Sequence, residues 1–352
     1  MSNGVSKIVV ASASGPATRE FLATARESGF PGEIEAIAGA REESVGKLVG
    51  ETALGGFSEF DNLLVISLDD AVNNGDAPVV VSFLQDEAAK KYEPKLAKDR
   101  LMITNSGVHR MESYTALSSP YTNPGQIDER FTSGVEGPYM IAVGNCTSVI
   151  ASVPLAPIHE RWGIISAEIE TLQDWSGAGE LEIPKGKAGL VIPIDGDEQD
   201  KIQTEPRRLL SPSMQALATI GRIKATPKRG PWWGEGHHEL ITIKLAKPTT
   251  AKEVEEAWRD WRAPDVLKGI KYGANSPKRK PIEVANKDLV YWDGTVPSLS
   301  TKTRPMRVKA HIREIQDEGH TIVFEALGDN LALGAAGSAA MILSYAREMG
   351  YL

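Results

Sequence analysis

One cysteine in 352 residues is the scarcest feature of this chain. An internal disulfide is thereby excluded, and a reducing, cytoplasmic setting is expected. Long hydrophobic runs are missing too. The most apolar segment, LALGAAGSAAMIL, is too short to span a bilayer and is rich in small residues, so no membrane association is expected. The opening MSNGVSKIVVASASG has no extended apolar stretch ahead of a cleavage site, and no secretory signal is expected. Nor is there a basic stripe: a formal charge of -8 spread along the chain argues against binding duplex nucleic acid, which requires displacing counterions. The one basic run, KYGANSPKRK at 271–280, is short and reads as a solvated surface loop. Low-complexity tracts and internal repeats are absent. A content of 41% hydrophobic and 24% charged residues suits a folded chain, and its length favours two domains over one.

What is present changes character midway. The first hundred residues alternate apolar β-rich runs (KIVVA, EIEAIAG, PVVVSFL, LMITNS) with helical patterns (TREFLATARESG, DEAAKKYEPKLAK), which predicts a parallel sheet with helices on both faces. Beyond YMIAVGN and the helix TSVIASVPLAPIHERWG come longer alternating strands: GIISAEIETLQ, HELITIKLA, RVKAHIREI and HTIVFEAL. Such alternation marks a sheet with one buried face, hence an α+β unit. In TTAKEVEEAWRDW, Thr250 and Glu253 have capping-box spacing. The closing GAAGSAAMILSYAREMG reads as a tightly packing helix.

Three features bear on chemistry. A strand running through SASGPATRE into a helix suits a dinucleotide phosphate at the helix amino terminus, although Ser12, Gly15 and Thr18 keep only one glycine of the three-glycine fingerprint. In GNCTSVIASVPLAP, Cys146 stands at the start of a helix, whose positive end favours thiolate; the alternative is a small buried hydrophobe. In GHHE, His237 and His238 point in opposite directions if the segment is a strand, and the residues alone do not choose between them. No histidine lies four residues after His238 and no cysteine is nearby, so no metal site is expected. His109, His159, His311 and His320 read as structural or surface residues.

In their order along the chain these segments resemble the aspartate-semialdehyde dehydrogenases and the related reductases of acyl phosphates and acyl thioesters. GNCTSVIASVPLAP is similar to the family's nucleophile segment and QDWSGAG to the block that follows it. SASGPAT stands at the phosphate loop, SVGK at the segment reaching the adenosine ribose, TNSGVHRM at the phosphate-arginine block. EQDKIQTEP resembles the substrate helix, RGPWWGEGHHE the arginine–histidine pair, and DNLALGAAG the nicotinamide-side motif. The resemblance implies an α/β protein: a Rossmann-type doubly wound cofactor domain over 1–143, completed by 334–352, and an α+β catalytic and dimerisation domain over 144–333. It implies Cys146 as nucleophile, His237 as acid/base and Gln173 holding the acyl intermediate, with the amide of Asn145 a candidate donor to the developing oxyanion. Arg229 would bind the substrate carboxylate, Glu198 its ammonium, and Arg110, Lys201 and Asn105 its phosphate end. NADP, with NAD the alternative, would contact Ser12, Ser14, Gly15, Pro16, Ala17, Ser44, Ser176, Gly177 and Asn330. Small-molecule substrate and phosphate are the expected partners, in a homodimer or homotetramer.

The implied reaction is the phosphorylating oxidation of aspartate semialdehyde, or its reverse, through a cysteine thioester. Four segments depart from the family pattern: the phosphate loop, with Glu42 and Glu43 nearby to repel a 2′-phosphate; ELEIP after WSGAG; the insertion with Trp232 and Trp233; and Ala332–Leu333 in place of basic residues. A malonyl-coenzyme A reductase-like activity and a catalytically silent binding homologue are the two alternatives.

Overall fold

The computed structural model describes residues 7–28, 34–74, 76–178, 184–185, 188–194, 196–230, 236–269, 280–286, 289 and 306–352. Segments 271–279 and 231–235, the latter with Trp232 and Trp233, lie outside the described residues, as does most of ELEIP.

The first sheet grows from the apolar runs. β1 (Ile8–Ala11) leads through a four-residue loop into α1 (Pro16–Ser28), then β2 (Ile34–Gly39), β3 (Val65–Ser67), α2 (Leu68–Asn74), β4 (Val79–Ser82), α3 (Asp86–Leu96) and β5 (Leu101–Thr104). β6 (Thr115–Leu117), α4 (Gly125–Thr132) and β7 (Met140–Ala142) follow. Strand order is β3-β2-β1-β4-β5-β7-β6, and the strands pair in parallel throughout. Parallel strands buried on both faces have no polar side to show, which is why IVVA, VVVS and LMIT are almost wholly apolar. Val9, Val80 and Met102 belong to one core; Val10, Val81 and Ile103 face the other. The order reverses between β1 and β4, where such folds bind ligands beyond the carboxyl ends of the strands.

α5 (Cys146–Trp162) then leads into the second sheet: β8 (Ile164–Gln173), β9 (Ile192–Pro193), α6 (Asp197–Leu209), β10 (Ile223–Arg229), β11 (His237–Leu245), α7 (Ala251–Asp260), β12 (Ile282–Val284), β13 (Val308–Gln316) and β14 (Thr321–Gly328). The order is β12-β13-β14-β11-β8-β10-β9, mixed in direction. α5, α6 and α7 pack on this sheet. Its other face alternates outward residues such as Glu168 and Glu170 and leaves Ile165 52% exposed. Every residue of α5 from Thr147 to Ile158 is buried, so its sequence is apolar all round instead of amphipathic.

The chain closes with a π-type turn, 332–336, and α8 (Gly337–Glu348), which packs against α1. The capping box of α7 forms in both halves: Glu253 N–H donates to Thr250 Oγ1, and Thr250 N–H to the Glu253 carboxylate at 2.9 Å. Among the described residues, no helix is long and apolar enough to cross a membrane.

Candidate active site

Strand parity assembles the centre. In β11, His237, Glu239, Ile241 and Ile243 face α5; β8 presents Thr171 and Gln173 to the same side, and β10, parallel to β8 with Arg229 opposite Gln173, adds Arg229. Three polar side chains from three strands thus meet at one end of the sheet. His238 falls on the opposite face, 3.6 Å from the Glu325 carboxylate.

Cys146 enters from the first turn of α5. Its position is set by Asn145, the helix cap, whose side-chain oxygen accepts from Thr147 N–H (3.0 Å) and Ser148 N–H (3.3 Å). Sγ lies 3.1 Å from His237 Nε2. Behind the ring, Asp174 N–H donates to Nδ1 at 3.0 Å. Opposite, Gly334 of the π turn packs so closely that a Cβ there would sit 2.6 Å from that of Cys146. Burial, with the Glu198 charge added, pushes the Cys146 thiol up to about 12. Burial, with the Arg229 charge added, pushes His237 down to about 3.

Glu198, Lys201 and Glu205 line one face of α6 through their i, i+3, i+7 spacing. Glu198 accepts from Asn145 Nδ2 (3.1 and 3.2 Å) and from Gln173 Nε2 (2.9 Å), which ties the acid to the residues flanking the thiol. Asn145, expected to help an oxyanion, therefore has its amide committed to Glu198. Arg110 is likewise engaged: Nε donates to Val143 O, Nη2 to Asn105 O, and Nη1 to Glu205 at 3.0 Å, with only 6% of the residue exposed. Glu205 also accepts from Asn145 N–H at 2.5 Å. Lys201 pairs with Asp197, and its Nζ would lie 3.4 Å from a Cβ on Gly107, so it hangs over the loop that carries Asn105.

Arg229 donates to Asp174 O at 2.7 Å and lies 5.9 Å from the Trp175 ring centroid. A Cβ on Gly177 would meet His237, Arg229 and Asn330 side chains within 3.5 Å, so the three converge on this glycine. Asn330 Nδ2 donates to Ser176 Oγ at 3.0 Å.

At the carboxyl end of β1, the loop leading to α1 holds Ser12 at φ +152° and Gly15 at φ +102°. Ser12 thus adopts a conformation suited to glycine at the position where the fingerprint has one, bracing itself by donating to Ser14 O at 2.8 Å. Pro16 opens α1, no acidic residue occupies its first turn, and space beside Gly15 is open: a cradle suited to an anionic phosphate. Ala17 follows in the same turn, and Ser44 lies half-buried in the turns after β2. Nearby Arg41 and Glu43, both exposed, stand 3.8 Å apart.

Residue types did not single out Asp174, Gly334 or Glu239 as parts of this centre; Glu205 stands in the segment resembling the substrate helix. Asp174 acts through its main chain, which a side-chain pattern does not encode. Glu239 is fully buried, and its carboxyl has no hydrogen-bond partner among the described residues; burial raises it well above the usual carboxylate range. Among the described residues no group of three or more His, Cys, Asp or Glu is arranged to hold a metal.

Chemically, the centre offers a thiol beside an imidazole donor, flanked by an acid and a guanidinium, next to a nucleotide-type fold. No family model matches the chain. In sequence it is similar to curated aspartate-semialdehyde dehydrogenases: 29% identical to that of Methanothermobacter thermautotrophicus, spanning 61% of this chain and 62% of the relative, and 26% identical to that of Aspergillus fumigatus, spanning 98% of both. It is also 26% identical to the malonyl CoA reductase (NADP) of Metallosphaera sedula over 79% of this chain and 78% of that one. In fold it matches the crystal structure of aspartate semialdehyde dehydrogenase with NADP from Candida albicans, with a TM-score of 0.78 at 21% identity over 99% of this chain and 100% of the other. The Vibrio cholerae aspartate semialdehyde dehydrogenase II complexed with ASA matches with a TM-score of 0.75 at 18% identity over 98% and 99%. The resemblance to the aspartate-semialdehyde dehydrogenases thus covers both sequence and architecture.

Proposed function

We propose that this chain is an NADP-dependent, phosphorylating dehydrogenase of aspartate semialdehyde, interconverting the aldehyde and 4-aspartyl phosphate through a thioester on Cys146. The observation that carries the reading is the 3.1 Å approach of Sγ to His237 Nε2 where Gln173, Glu198 and Arg229 converge. Addition of sulfur to the carbonyl places negative charge on oxygen, and His237 beside the sulfur supplies a donor for it. Arg229 presents a fork to the substrate carboxylate, and Glu198 is the counter-charge for an ammonium. Lys201 would steady the phosphate end.

The nicotinamide dinucleotide would rest its phosphates on Ser12, Ser14, Gly15, Pro16 and Ala17, reach Ser44 with its ribose, and approach Ser176, Gly177 and Asn330 with its other end. When bound it supplies the hydride acceptor. Pairing of two copies through the open face of the second sheet, where Ile165 is exposed, completes the proposal.

The test is spectrophotometric: aspartate semialdehyde with NADP should yield at most one NADPH per chain without phosphate and continuous turnover only when phosphate is present, and turnover indifferent to phosphate rejects this reading. One observation favours a second reading. Because Arg110 is committed to Glu205 and two carbonyls, the phosphate end rests on Lys201, which suits a reductase of acyl thioesters. Oxidation of NADPH by malonyl-coenzyme A would support that reading; inertness would remove it.

A further inference from the structure

The two nitrogens of His237 are not equivalent. Nδ1 accepts a hydrogen bond from a main-chain N–H, which cannot change its donor character. A nitrogen that accepts must carry a lone pair, so the neutral ring bears its proton on Nε2, the atom facing Cys146 Sγ. An imidazolium would set Nδ1–H against Asp174 N–H across 3.0 Å, two donors with no acceptor between them. Rotation of the turn to relieve this is opposed at three points. The Asp174 carboxylate accepts from Ser176 N–H at 2.7 Å, its carbonyl accepts from Arg229 at 2.7 Å, and the residue is wholly buried.

We infer that Asp174 is a positioning residue for His237: its main-chain N–H holds the imidazole as the Nε2–H tautomer, so the free protein stores Cys146 as a thiol and not as half of a thiolate–imidazolium pair. The surrounding charges divide. From α6, Glu198 opposes a negative sulfur, while Glu205 pairs with Arg110 and Lys201 with Asp197; Arg110 and, from β10, Arg229 favour a negative sulfur, and Arg229 also opposes a positive ring. From β11, Glu239 is buried, which raises its carboxyl well above the usual carboxylate range and disfavours a negative charge there. Burial acts in the same direction on both groups, raising the thiol and lowering the imidazole.

The consequence, which rests on the proposed nucleophilic role of Cys146, is that the thiol proton does not pass to His237, whose facing nitrogen already carries one. Solvent or an anionic oxygen of the substrate receives it. Nε2–H then serves as a fixed donor to the oxygen that becomes negative when sulfur adds to the carbonyl.

The test needs neither substrate nor cofactor, so it is independent of which reaction the protein catalyses. In protein labelled with ¹⁵N-histidine, the ring assigned to His237 by its loss in His237→Gln should show a protonated Nε2 and a bare Nδ1 between about pH 6 and 8. A protonated Nδ1, alone or with Nε2, overturns the inference. If His237→Gln does not fold, alkylation of the unsubstituted protein by iodoacetamide reports the same state, because Cys146 is the only cysteine. Its rate should fall about tenfold for each pH unit below 8, as for an isolated thiol. A pH-independent plateau across acidic pH, the mark of an ion pair, contradicts it.

Discussion

Around Cys146 the side chains restrain one another before any ligand arrives. Glu198 is held by two amide donors, Asn145 Nδ2 and Gln173 Nε2, and its charge opposes ionisation of the neighbouring thiol. An ammonium reaching Glu198 would cancel that opposition, so an amino-bearing substrate would help to activate the sulfur it meets. Replacing Glu198 with glutamine should therefore speed iodoacetamide alkylation of Cys146 at neutral pH by about tenfold, the effect of roughly one pKa unit. In steady state it should raise KM for an amino-bearing substrate. Unchanged alkylation would show that the carboxylate is too well compensated to act on the thiol. Cys146 was marked by its place at a helix start, whereas His237 and Arg229 were singled out by the family resemblance and not by the residues alone. The commitments of Arg110 and Asn145 were not, because they depend on where Glu205 and Glu198 sit when α6 docks against α5.

At the scale of elements, legibility followed burial. The parallel strands and the long alternating ones announced themselves, as did the α7 capping box. β10, sequence IKATPKR, did not: its inward side carries only Ile223, Ala225 and Pro227 before Arg229, and lysines alternate with them. The three-residue strands β3 and β6 are too short to show a period. In β11 the burial pattern conflicts with residue type at Glu239, and this has a consequence for stability. Its carboxyl is raised in the folded chain and ordinary in the unfolded one, so above about pH 4.5 unfolding releases a proton and the folded state loses stability as pH rises towards the raised value. Glu239→Gln keeps the shape of the neutral acid and removes this dependence. Its melting temperature relative to the parent should therefore climb as pH rises above about 5, and a difference that stays flat would mean that the carboxyl is ionised and compensated in the native state.

Over the whole molecule, the site is built from segments far apart in sequence. The β1–α1 loop and the Asn105–Arg110 loop come from the first sheet, α6 and three strand ends from the second, and the π turn that packs against Cys146 leads into a helix lying on α1. A dinucleotide bound along that path would touch both halves and stabilise them together. NADP at about a hundredfold excess over its Kd should add about 2.7 kcal/mol and raise the melting temperature in one cooperative step. A shift with NAD but not NADP would mean that Glu42 and Glu43 select against the 2′-phosphate. Absence of any shift would favour a silent homologue. The doubly wound half was readable from the alternation of strands and helices, whereas the convergence of the two halves on one thiol came from the order of motifs resembling a family, not from periodicity.

The central claim is that Cys146 carries the acyl group, and intact-mass spectrometry tests it most directly because the chain has a single cysteine. With aspartate semialdehyde and NADP in the absence of phosphate, the account predicts one acyl adduct per chain, removed by adding phosphate and missing from Cys146→Ser. NADPH production by Cys146→Ser at the parental rate, or turnover of the parent with no adduct detectable under any phosphate concentration, would contradict it.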